Sequence, residues 1–167
     1  MKLEQTNRII IKIGSALLFN ETSGSLNKEW LNSLAEDVKY LRENDKEVII
    51  VSSGAIAMGA KDLDLDMKNM KMDMNQAVSA VGQIHLMGSF KSAFEKNEIK
   101  ISQILLTLDD TEQRRRSINA RRTIDTLLKL GIVPVVNEND TIATSEIRYG
   151  DNDSCLLYTS DAADEGS

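Results

Sequence analysis

The stretch from Ile132 to Asp153 reads IVPVVNENDTIATSEIRYGDND, a short apolar run that breaks abruptly into amides and carboxylates. The apolar run has the length and valine content of a strand buried in a parallel sheet, which places the polar groups at the strand's C-terminal end. Asn137, Glu138, Asn139, Asp140, Asp151, Asn152 and Asp153 crowd around two turns there. A folding core has no use for such density, because each buried amide or carboxylate is costly unless it meets a partner. A ligand carrying charges of both signs would supply those partners.

Upstream of this strand, the pattern INARRTIDTLLKL from Ser117 is amphipathic and stops at Gly131, a helix followed by a left-handed cap. Ile101 to Thr107 is a further strand, after which Asp109 and Asp110 cap a turn; a carboxylate pair at a metal is the alternative reading. Met74 to Asn97 reads as a long helix, apolar at Ala77, Val78, Val81, Ile84, Met87 and Phe94, with small Ala77, Ala80 and Gly82 allowing close packing. His85 on it is expected to be packed or half-exposed. Asp62 to Asp73 alternates charge and methionine without a period and reads as a mobile linker or lid, a methionine-lined partner groove being the sharper alternative.

Glu47 to Ser52 forms a strand that delivers the chain into Ser53, Gly54 and Ala55 at the mouth of a helix. Small residues there let unpaired helix N–H groups face an anion, though a plain strand-to-helix turn needs the same residues. Before it, Asn27 caps a helix whose apolar positions Trp30 or Leu31, Leu34, Ala35, Val38 and Leu41 keep a 3.6-residue period, with Trp30 and Tyr40 read as packing residues. Residues 19–26 are a polar loop. Arg8 to Ile13 reads as a strand buried on both faces and ended by Gly14; Lys12 is its anomaly. An ammonium among isoleucines is either an edge-strand device against aggregation or a group that meets an anion, and the following Gly14 and Ser15, whose backbone can approach a phosphate, favour the second reading.

Strands alternating with helices give an α/β fold: a parallel sheet with helices on both faces and ligands at the C-terminal strand ends. Lys12, Ser53 and Asn137 all fall at such ends. With 41% hydrophobic and 28% charged residues over 167, one globular domain is expected. A net charge of −6 argues against nucleic-acid or anionic-membrane partners, the arginines at 114–116, 121 and 122 reading as a solvated helix surface. The N-terminus has no apolar signal region and the apolar stretch from Val48 to Ala60 is too short to span a bilayer, so a cytoplasmic location is expected. A single cysteine, Cys155, excludes an internal disulfide and a thiolate metal cluster.

The stretches IKIGS (11–15), VSSGAIAMG (51–59), AVGQ (80–83), LLTLDD (105–110) and VVNENDTIATSEIRYGDND (135–153) together resemble the amino-acid kinase family, and within it the members that phosphorylate glutamate on its γ-carboxylate for proline synthesis. The resemblance covers roughly residues 8 to 154. It implies a three-layer parallel sandwich, truncated here, with ATP and magnesium as cofactors. It implies that Lys12 neutralises charge on the transferring phosphoryl group and that Gly14 and Ser15 line the nucleotide phosphates. Ser53, Gly54 and Ala55 would hold glutamate, and Asn137, Asp140 and Asn152 would bind its ammonium and carboxylate ends. Asp153 would orient the lysines without taking a proton. It further implies proline as a feedback inhibitor, a homo-oligomer in the full-length enzyme, and no protein metal ligands.

Residues 155–167, CLLYTSDAADEGS, depart from this pattern and resemble the translation of a transposase sequencing adapter, so 1–154 is expected to be the glutamate-binding part of the domain and the tail non-native. The 167-residue chain is expected to show no glutamate-dependent ATP turnover. The alternatives are a family member acting on acetylglutamate, aspartate, carbamate or a nucleotide monophosphate, and a non-enzymatic amino-acid sensor.

Overall fold

The computed structural model describes residues 6–20 and 25–142. Strands β1 (Arg8–Ile13), β2 (Glu47–Ser52), β3 (Ile101–Leu106) and β4 (Val133–Glu138) pair in parallel in the order β1-β2-β4-β3. The helices are α1 (Ser15–Leu18), α2 (Lys28–Glu43), α3 (Ala55–Asp62), α4 (Met72–Glu95), α5 (Leu108–Glu112) and α6 (Arg114–Lys129).

Successive strand residues point to opposite faces, and here both faces are covered. Ile11, Ile13, Val48, Ile50, Val133 and Val135 pack with α2 and α4 through Leu34, Val38, Leu86, Phe90 and Phe94. On the other face Ile10, Ile49, Val51, Ile104 and Val136 pack with Ile124 and Leu128 of α6. The central strands β2 and β4 are therefore nearly continuous apolar runs, and the expected three-layer α/β arrangement holds. The expectation that β1 is buried on both faces holds only for Ile13. Ile9, Ile10 and Ile11 are half-buried and Lys12 is exposed, because β1 lies at the edge of the described sheet and pairs only with β2.

Asn27 caps α2 by accepting from the Trp30 amide at 3.2 Å, and Leu31, Leu34, Ala35 and Val38 form its buried stripe. Trp30 packs against the core, but Tyr40 is 67% exposed on the opposite face and is not a packing residue. Helix α6 starts at Arg114, three residues before the Ser117 expected, and ends in a Schellman turn: Gly131 N–H donates to Leu128 and Ile132 N–H to Leu127. Thr107, not the aspartate pair, is the cap of α5, and Asp110 completes its capping box by accepting from the Thr107 amide at 2.8 Å. At the N-terminal edge of the sheet, Arg8 holds Glu47 at 2.8 Å and Asp125 at 2.9 Å, tying β1, β2 and α6 together.

The largest departure lies on α4. Of the positions expected to face the core, Ile84 is 75% exposed and Ala77 and Ala80 are exposed, while the buried stripe is Val78, Ser79, Gly82, Gln83, Leu86, Phe90, Ala93 and Phe94. The helix is apolar nearly all round, so periodicity could not choose its face. Its neighbours choose it. Residues 63–71, inside the expected linker, join α3 to α4 through turns, and α4 takes in Met72 and Asp73.

Candidate active site

The register of the sheet assembles the site. Lys12 pairs with Val51 and Val51 with Val136, so Lys12, Ser53 and Asn137 end three adjacent strands within about one residue of a common row. At a strand spacing near 4.8 Å, Lys12 and Asn137 are separated across the row by roughly 10 Å.

Each strand end is fixed by its own chemistry. After β1, Gly14 is the cap of the single turn α1, and Ser15 begins it. After β2, the Ser53 hydroxyl donates to the Ile13 carbonyl at 3.2 Å, locking the β1 and β2 ends together and leaving its oxygen free to accept. Gly54 then takes φ 109°, a conformation that favours glycine, and a Cβ there would come within 3.1 Å of the Phe19 ring. Ala55 opens α3, whose first N–H groups have no partner within the helix and no side-chain cap. At the end of β4, Asn137 is 4% exposed; its Oδ1 accepts from the Glu138 amide at 2.9 Å and its Nδ2 donates to Gln83 Oε1 at 3.4 Å. Asp140 follows in a turn closed by Ile142 N–H to Asn139 O. It is 7% exposed, and among the described residues the donor that reaches it is the Ser79 hydroxyl, at 2.7 Å from Oδ2.

Helix α4 sets these corners against one another. Gly59 and Gly82 put α3 and α4 in direct backbone contact: a Cβ at Gly82 would lie 1.8 Å from the Ala55 carbonyl oxygen, and one at Gly59 1.9 Å from that of Val78. One turn before Gly82, Ser79 holds Asp140; one residue after it, Gln83 accepts from Gln103 of β3 and donates to the Glu138 carbonyl of β4. The same helix thus meets the Ala55 corner and the Asp140 corner. Sequence reasoning missed Ser79 and Gln83. Two polar residues four apart, on a helix otherwise apolar along that stripe, were the signal available.

Burial raises the Asp140 carboxyl above its ordinary 3.8, and the Ser79 hydrogen bond opposes this in part. A raised carboxyl means that the folded chain holds this proton more tightly than the unfolded one. Its contribution to stability is complete below the ordinary value and is lost as pH rises through the raised one. A cation that pairs with the ionised form is expected to bind less tightly as pH falls through the raised value toward 3.8, which a series of calorimetric titrations from neutral pH down to that ordinary value would register.

Lys12, Gly14, Ser15, Ser53, Gly54, Ala55, Asn137 and Asp140 all lie at the C-terminal edge of the sheet or in the turns leaving it. Asn152 and Asp153 lie outside the described residues. Among the described residues no three His, Cys, Asp or Glu side chains form a group that could hold a metal, and no helix is long and apolar enough to cross a membrane.

The model of the amino acid kinase family matches residues 7–163. This chain belongs to the amino acid kinase family. Among curated proteins of that kind it is 58% identical over 153 residues to a glutamate 5-kinase of Pelagibacter ubique, covering 92% of this chain and 41% of the relative. It is 54% identical over 151 residues to a glutamate 5-kinase of Ruegeria sp. TM1040, covering 90% and 41%. The chain therefore spans about two-fifths of the length of these relatives. An isopentenyl phosphate kinase product complex from T. acidophilum superposes with a TM-score of 0.53 at 15% identity, over 78% of this chain and 54% of that one, a likeness that shows the amino acid kinase fold alone.

Proposed function

We propose that this chain carries the glutamate site of a glutamate 5-kinase, an enzyme that transfers the γ-phosphoryl group of ATP to the γ-carboxylate of L-glutamate. The observation that carries the reading is Asp140: a carboxylate buried just past the end of β4 and met by Ser79 of α4, the helix that also rests on Ala55 at the start of α3. A buried carboxylate met by one hydroxyl among the described residues is expensive to keep ionised, and a substrate ammonium is the partner that would offset the cost.

In this reading Asp140 and Asn152 take the ammonium and α-carboxylate of glutamate, and Asn137, tied down by Gln83, holds the end of β4 in place. Ser53 accepts from the ammonium, while the amides of Gly54 and Ala55 receive substrate oxygens. A γ-carboxylate oxygen attacks the γ-phosphorus, the new O–P bond forms, and the bond to the bridging oxygen breaks to release ADP. That carboxylate is ionised near pH 7, so no general base is required. Lys12 neutralises the phosphoryl oxygens, Gly14 and Ser15 line the nucleotide phosphates, and Asp153 keeps the lysines oriented. Magnesium bound with the nucleotide would be held mainly by the phosphates and would neutralise their charge. Free proline, which shares the ammonium and α-carboxylate of glutamate, would compete for the same pocket. A cytoplasmic homo-oligomer completes the proposal.

The test is Asp140→Asn in this chain joined to the C-terminal part of the Pelagibacter ubique relative. Losing a charged, desolvated hydrogen bond costs about 2–3 kcal/mol, so the KM for glutamate should rise about 30- to 150-fold while the KM for ATP holds. An unchanged glutamate KM with a raised ATP KM would place Asp140 in the nucleotide subsite and sink this reading.

A further inference from the structure

The serines of α4 behave in two ways. Ser89 donates to the carbonyl of His85 at 2.9 Å and Ser92 to that of Gly88 at 2.9 Å, each four residues back in the same helix. That is the default for a serine inside a helix. Ser79 departs from it, its hydroxyl reaching Asp140 Oδ2 at 2.7 Å, 61 residues along the chain, with the serine 1% exposed. The structure assigns to Ser79 the role of a positioning residue that fixes which carboxylate oxygen of Asp140 faces the substrate ammonium.

The geometry supports this in three steps. A hydroxyl has one proton to donate, and here it is given to Oδ2, leaving Oδ1 for a ligand. The serine backbone cannot drift, because Val78 and Gly82 on the same helix rest on the backbone of α3. Gln83, one turn further, grips the Glu138 carbonyl two residues before Asp140, so β4's end is held from the same helix face. Ser79 is therefore a fixed post against which the carboxylate turns. Its effect belongs to substrate binding and not to phosphoryl transfer, since its hydroxyl acts through Asp140.

This inference rests on the reading of Asp140 as the ammonium's partner, and the variants separate the two. In the joined enzyme described above, S79A should raise the glutamate KM about tenfold, the scale of one hydrogen bond to a charged group, with kcat and the ATP KM within twofold of the unmodified enzyme. S79T, which keeps the hydroxyl, should return the glutamate KM to within twofold. If Ser79 acts through Asp140, S79A added to D140N should worsen the glutamate KM no further. A wild-type KM for S79A beside a strongly raised KM for D140N would overturn the role of Ser79 and leave the proposed function standing. A full independent effect of S79A in the D140N background would overturn it equally. Unaltered glutamate kinetics in D140N would remove the proposed role of Asp140 and this inference with it.

Discussion

Alanine at position 12 is expected to lower kcat by two to three orders of magnitude in the joined enzyme, with a much smaller change in the glutamate KM. Lys12 sits at the end of β1, exposed on the edge that Ser53 and Asn137 share. In the proposed mechanism an ammonium held there would meet charge as it develops on the transferring phosphoryl oxygens, and removing one preorganised group of this kind costs about 3–4 kcal/mol of transition-state stabilisation. The loss should therefore fall on kcat. Steady-state kinetics with each substrate varied would check it, and a kcat within a fewfold of the unmodified enzyme would show that Lys12 serves only as an edge-strand charge.

Gly82→Ala is expected to destabilise the fold and to weaken glutamate binding together. The added methyl would lie 1.8 Å from the Ala55 carbonyl oxygen and 2.6 Å from the Gly59 nitrogen, both backbone atoms that no rotamer can move aside. Helices α3 and α4 must separate, which carries the Gly54–Ala55 corner away from Asp140. Overpacking of this kind costs about 1–3 kcal/mol or more, against about 1 kcal/mol gained from alanine's helix propensity. Gly88→Ala on the same helix is the control. Nothing lies within 4 Å of a Cβ there, so the propensity gain of up to about 1 kcal/mol should appear alone. Urea midpoints for the two variants should move in opposite directions; a Gly82→Ala midpoint at or above that of the unmodified chain would contradict the backbone contact.

The central strands were legible because β2 and β4 are buried on both faces, which writes apolar runs at 48–51 and 133–136, while the edge strands β1 and β3 keep isoleucine and leucine but admit Lys12 and Gln103. The α2 cap was legible too, since Asn27 precedes the first periodic residue and its side chain bonds locally, to the Trp30 amide. The face of α4 was not. A helix crossed by α3 on one side, a sheet beneath and solvent beyond carries apolar residues in most directions, and Ile84 looks like core until its neighbours are placed. Ser79 and Gln83 were hidden for the same reason: their value lies in partners 54 to 61 residues away. Lys12, Ser53, Asn137 and Asp140 could be picked out because the chain itself places them in the last residues of apolar strands or just past them, whereas their mutual register, which puts Lys12, Val51 and Val136 in one row, is a property of the strand order.

The most direct measurement of the central claim is acceptor-dependent ADP formation by residues 1–154 joined to the C-terminal part of the Pelagibacter ubique relative, with hydroxylamine present to trap any acyl phosphate. Glutamate, acetylglutamate, aspartate and carbamate would be compared at equal concentration. If the chain carries a glutamate site, ADP should accumulate with glutamate above the other acceptors and in step with glutamyl hydroxamate, and both should fall together in Asp140→Asn. ADP formation driven by another acceptor, or by glutamate without hydroxamate, would contradict the account.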